Sequence, residues 1–200
     1  MAEEILFFEK AAIIEYIRTT HPNPRSKESE AITSLALVKL YEKLLGGTCK
    51  IGFPLNPSYS NQFPKESDRS IGEIMKILAE KKTFKEDSEI DVTIKKDKSN
   101  ESVNYQLKRF GLGKNAGGGT KEFIELLIEY SVRPKTTTKL LVVMQEGTKI
   151  DPPVIIQWLA ANPYPFSAVE TVSMENDEVT FLQLFPKSGS EKFEYEKLLL

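Results

Sequence analysis

Two hundred residues with 40% hydrophobic and 28% charged side chains make one ordinary soluble domain, or one domain carrying an insertion. The formal charge of −2 excludes a uniformly basic nucleic-acid coat, while leaving room for a local basic groove. One cysteine (Cys49) excludes an intramolecular disulfide or a multi-cysteine zinc site, and one histidine (His21) argues against His-based zinc hydrolysis and Ser-His-Asp chemistry.

In chain order, Glu3 to Arg18 sets Leu6, Ile13 and Ile17 on one stripe, which predicts a helix within an N-terminal segment of residues 1–25. Acids in MAEEILFFEK stand where a secretory signal needs bases. No apolar run approaches the roughly 18 residues of a membrane span, so a cytoplasmic protein without membrane association is expected. HPNPR stops the first helix, because proline denies its predecessor the helical region. A second helix is expected from about Lys27 to Leu45, ended by Gly46-Gly47, followed by a short strand from Thr48 to Phe53. Residues 54–87 read as an insertion: a proline-rich loop, then a helix from the capping box Ser70-Ile71-Gly72-Glu73 to about Lys82.

Two alternating runs follow, Glu89 to Lys96 and Ser102 to Phe110, joined by the turn residues DKSN. After the glycine-rich GLGKNAGGG, Thr120 can cap a helix to about Ser131. Lys139 to Gln145 reads as a buried central strand. Asp151-Pro152-Pro153 opens another helix, Ser167 to Ser173 and Glu178 to Phe185 form a hairpin, and the last residues are expected to be helical. The fold class is mixed α/β.

The central hairpin brings chemistry together if it pivots between Lys98 and Ser99. Thr93 then faces Asn104, Asp91 faces Gln106 and Glu89 faces Lys108, with opposed Cβ atoms roughly 4.5–5.5 Å apart. Alternation sends Asp91, Gln106 and Lys108 out on one sheet face, and a one-residue slip would scatter them. Glu30 heads a stripe of the second helix with Ser34, Leu37, Tyr41 and Leu44, where a carboxylate needs a partner such as a lysine or a metal.

These residues resemble the PD-(D/E)XK nuclease superfamily, whose restriction-endonuclease-like core runs helix, three-stranded meander, helix, strand. Asp91 matches the acid of the second core strand, with Ile90 in place of the usual proline. Gln106-Leu107-Lys108 matches the Gln-x-Lys variant of the motif on the third, and Glu30 matches the acid often found on the first helix. The resemblance covers roughly Lys27 to Gln145. It implies a mixed central sheet flanked by helices, with residues 54–87 inserted after the first core strand.

What the resemblance implies for function is Mg²⁺- or Mn²⁺-dependent hydrolysis of DNA phosphodiesters. Asp91, the Gln106 side-chain oxygen and the Leu107 backbone carbonyl would hold the metal, with Glu30 binding directly or through water. Lys108 would orient the attacking water and offset charge on the phosphate. Many nucleases of this fold act as homodimers, though no stripe here marks an interface. From Val92 to Lys114, six basic residues (Lys95, Lys96, Lys98, Lys108, Arg109 and Lys114) face two acids, a belt suited to DNA phosphates. The alternative from another class is a catalytically inactive relative using the same fold to bind nucleic acid or protein. A third reading, a small-molecule enzyme, would need a deep pocket away from the hairpin. The bland alternatives are a polar sheet face with Lys108 paired to Glu89, a solvated turn at Lys95 to Lys98, a flexible glycine connector, and a core role for Trp158 and Tyr164.

Overall fold

Strand pairing, rather than helix periodicity, decides the start of the chain. The computed structural model describes residues 4–20, 30–56, 58, 73, 76–77, 88–111 and 118–194, with only the backbone of 19, 20, 30 and 31. They fall into two compact units, Met1–Asn104 and Tyr105–Leu200.

In the first unit, the helix expected from Glu3 is corrected to a strand, β1 (Ile5–Phe8), followed by helix α1 (Lys10–Thr20). Leu6 and Phe8 alternate as well as they fit a helical stripe. Antiparallel pairing with β2 (Cys49–Pro54), in the register Phe7↔Gly52 and Phe8↔Ile51, selects the extended form. Gly52 is required there, because a Cβ would run into Ile5 Cγ2 and come within 2.7 Å of the Phe7 ring. Helix α2 (Glu30–Leu45) is buried without a break from Ile32 to Val38, so it is apolar nearly all round, and surfaces at Leu44. Strand β3 (Val92–Lys96) pairs antiparallel with β2 as Ile51↔Ile94 and Gly52↔Thr93. Cys49 is buried, and desolvation pushes its thiol up, so it packs as a small hydrophobe.

The turn between β3 and β4 (Ser102–Phe110) keeps the expected register. The Lys96 amide donates to the Glu101 carbonyl at 3.1 Å, and Thr93 Oγ1 donates to Asn104 Oδ1 at 2.8 Å. Asp97 Oδ1 and Ser99 Oγ accept the Lys98 and Glu101 amides, while Lys98 takes a left-handed φ of 57°.

The second unit begins at Tyr105, within β4. It continues through α3 (Thr120–Ser131), β5 (Lys139–Met144), α4 (Pro152–Ala161), β6 (Ala168–Glu175), β7 (Glu178–Phe185) and β8 (Ser190–Glu194). Strands β4, β5 and β6 are parallel, and β7 and β8 add antiparallel, so the sheet is mixed. One of its faces carries Phe110, Leu140, Val142, Met144 and Val169 beneath Phe123, Leu126, Leu127 and Tyr130 of α3 and Ile155 and Leu159 of α4. Tyr164 lies in this core, its hydroxyl donating to the Leu127 carbonyl at 3.0 Å, and Trp158 packs edge-on against it. On the opposite face, the buried Glu170 accepts from Tyr105 Oη at 2.9 Å and from Lys139 Nζ at 2.8 Å.

Two further expectations are corrected. The chain end forms β8 rather than helix as far as Glu194, because Phe193 packs edge-on against Phe181 and Lys192 pairs with Glu178 across the strands. Residues 195–200 lie outside the described residues, as do His21 and most of the 54–87 insertion, of whose expected helix 73, 76 and 77 are described and helical. Gly119, not Thr120, caps α3; Thr120 is its first residue, and its hydroxyl accepts the Asp151 amide at 2.7 Å. Among the described residues no helix is long and apolar enough to cross a membrane.

Candidate functional site

Strand alternation places Gln106, Lys108 and Phe110 on the α3 side of β4, in register with Leu140, Val142 and Met144 of β5. Phe110 is covered by α3, packing edge-on against Phe123 at 5.1 Å. Gln106 and Lys108 carry the same face toward the last turn of that helix. Its inward stripe of Phe123, Leu126, Leu127 and Tyr130 delivers the Tyr130 ring there, and Pro134 stops the chain from continuing as helix.

A cluster unforeseen from the sequence results. The Arg133 guanidinium lies 4.4 Å from the Tyr130 ring centroid, and its Nη1 donates to Gln106 Oε1 at 3.0 Å. The Lys108 ammonium lies 5.4 Å from the same centroid. Gln106 is 8% exposed and Tyr130 5%, while Arg133 is exposed. Among the described residues, neither Lys108 nor Arg133 forms an ion pair. Two cations thus share one aromatic ring, and neither is neutralised by an ion pair among the described residues. The spacing of Tyr130 and Arg133, three apart at a helix end, is the signal that could have found the pair.

The other expected site residues fall as follows. Asp91 is half-buried in the first unit, at a bend just ahead of β3 rather than within it. The strand starts late because Ser88 Oγ accepts the Ile90 amide at 3.0 Å and draws that backbone out of the ladder. Glu30 is the first residue of α2, and the stripe it heads is buried at Ser34, Leu37 and Tyr41; its side chain lies outside the described residues. Leu107 lies on β4 between Gln106 and Lys108.

The basic belt is dispersed. Lys95 leans over the Phe7 ring at 5.4 Å. Lys96 donates to the Leu45 carbonyl at 3.2 Å, closing the end of α2. Lys98 is exposed at the turn, Arg109 leaves β4 on the side opposite Lys108, and Lys114 lies outside the described residues. In the glycine loop, the Gly119 amide donates to Glu122 Oε2 at 2.8 Å, which holds that carboxyl below its usual range and leaves this amide engaged within the chain.

The fit to a divalent metal rests on donor chemistry. The Asp91 carboxylate, Gln106 Oε1 and the Leu107 carbonyl are hard oxygen donors of the kind Mg²⁺ takes. Among the described residues, no group of three His, Cys, Asp or Glu side chains gathers as a metal site. Gln106 Oε1 already accepts from a guanidinium, which leaves it one lone pair for a metal and sets a positive charge beside that place. No family model, curated protein or solved structure matches the chain.

Proposed function

We propose that this chain is a metal-dependent nuclease acting on DNA, built on the restriction-endonuclease-like fold. The observation that carries the reading is the pair Gln106 and Lys108, side by side on one face of β4. The chain order α2, β2, β3, β4, α3, β5 supports it, being helix, three-stranded meander, helix, strand, with β5 parallel to β4. The Thr93–Asn104 bond supports the expected hairpin register along β3, which begins at Val92, one residue after Asp91.

In hydrolysis, a water gives up a proton to solvent as its oxygen bonds to phosphorus, a P–O ester bond breaks, and the leaving oxygen takes a proton from solvent. Asp91, Gln106 Oε1 and the Leu107 carbonyl would hold the Mg²⁺ or Mn²⁺, with Glu30 binding it directly or through water; when bound, the metal would supply Lewis acidity and a more acidic water. Lys108 presents an ammonium partly desolvated against Tyr130, with no ion pair among the described residues, to the charge that grows on the phosphate. A second reading, a catalytically inactive relative that binds DNA or protein through the same face, is favoured by the Arg133–Gln106 bond, which engages a metal-ligand oxygen. Incubating single-stranded, duplex and branched DNA with the protein and Mg²⁺ or Mn²⁺ separates the two. Cutting that disappears in a folded Lys108→Ala variant supports the nuclease; salt-sensitive binding without cutting supports the relative.

A further inference from the structure

We infer that Arg133 is a phosphate-binding residue for DNA, held ready by Gln106 and Tyr130 and acting beside Lys108. The inference rests on the reading that DNA meets this face, and adds to it a residue outside the Gln-x-Lys motif. An exposed arginine normally samples many rotamers. Arg133 is instead fixed at two points, by a hydrogen bond from Nη1 to Gln106 Oε1 and by the Tyr130 ring, whose centroid lies 4.4 Å from its guanidinium carbon. One of its five N–H donors is bound in this way, and the exposed remainder of the fork has the geometry that matches two phosphate oxygens. Gln106 is itself buried and set on β4 in register with Leu140 of β5, so the anchor is held by the sheet.

The charge balance points the same way. Lys108 and Arg133 stand against the same Tyr130 ring and repel one another, and among the described residues neither forms an ion pair. A group of like charges gathered in this way gains from an anion brought from outside, and the phosphodiester supplies one charge per nucleotide. Tyr130 is too buried to stack on a base, so the cluster reads backbone phosphate and not sequence.

The test measures binding of a short fluorescent duplex and its single strand by anisotropy, in EDTA, across a salt series. The proteins are wild type, Arg133→Ala, Arg133→Lys, Gln106→Leu and Lys108→Ala, each checked for its fold by circular dichroism. Arg133→Ala is expected to weaken binding about tenfold and to lower the slope of log affinity against log salt by about one. Arg133→Lys should restore the slope but only part of the affinity, since it keeps the charge and loses the fork. Gln106→Leu should weaken binding with the slope kept. A folded Arg133→Ala protein with unchanged affinity and slope overturns the inference, even where Lys108→Ala abolishes cutting and the nuclease reading stands. Arg133-dependent binding by a wild type that never cuts supports the inference and overturns the nuclease reading. A wild type that binds neither DNA overturns the inference.

Discussion

Tyr105→Phe should weaken the second unit measurably although it deletes one oxygen. Tyr105 is fully buried, and its hydroxyl donates at 2.9 Å to Oε2 of Glu170, itself 5% exposed, whose other oxygen takes Lys139 at 2.8 Å. Hydrogen bonds to charged groups contribute about 1.5–3 kcal/mol, and here a buried carboxylate oxygen is left short of a donor. The packing change is nearly nil, so about 2 kcal/mol is the expected loss. With a urea m-value of about 1–3 kcal/mol per molar, the midpoint of unfolding should fall by about 1 M at unchanged m. Combining Tyr105→Phe with Glu170→Gln in a double-mutant cycle should give strong coupling, because the charged acceptor is what the hydroxyl serves. A single-mutant loss below about 0.5 kcal/mol, or additive behaviour in the cycle, would refute the reasoning. The result bears on function as well. This buried network pins the back of β4, and a one-residue slip of that strand would turn Gln106 and Lys108 away from α3.

Gly111→Ala should lower the melting temperature through a loss of about 1–3 kcal/mol or more, since φ is 96° there and a Cβ would collide with Thr148 Oγ1 and lie 2.8 Å from Gln145 Cβ. Calorimetry that finds no change would contradict that geometry. Glu122 has a folded-state value below its ordinary 4.5, set by the Gly119 amide, so its contribution is present above that pH and is lost as pH falls through the folded value. Glu122→Gln should therefore flatten the acid limb of the stability profile, and an unaltered limb would count against the cap. If Gln106 shares in a metal site, Arg133→Ala should raise Mn²⁺ affinity, read by electron paramagnetic resonance, by about tenfold, because it removes about 1.4 kcal/mol of repulsion between a unit charge and a dication roughly 6 Å apart in a water-like dielectric. Unchanged or weaker Mn²⁺ binding would separate Gln106 from the metal.

The elements legible in the sequence were those whose period and boundaries agree. Strand β4 from Ser102 to Phe110 begins and ends where alternation and the flanking turns place it, and helix α3 ends at Ser131 as its stripe predicts, starting one residue earlier than a Thr120 cap would allow. The DKSN turn likewise carried enough local chemistry to set the Thr93–Asn104 pairing. Strand β1 was misread because its hydrogen bonds go to the distant β2, and β8, which pairs with its neighbour β7, because its own residues fit either period. At the site, Gln106 and Lys108 were visible as neighbours on one face of a strand. Arg133 and Tyr130 were not, since only the packing of α3 on the sheet brings them there. The late start of β3, which leaves Asp91 at a bend, depends on one Ser88 side-chain bond that alternation does not reveal.

Metal-dependent cleavage tests the central proposal most directly, with wild type, Asp91→Asn and Lys108→Ala compared on single-stranded, duplex and branched DNA. The account predicts that wild type cuts only with Mg²⁺ or Mn²⁺, and that each folded variant loses about a hundredfold or more in rate. Cutting that survives both substitutions, or a folded wild type that cuts none of these DNAs with either metal, would contradict it.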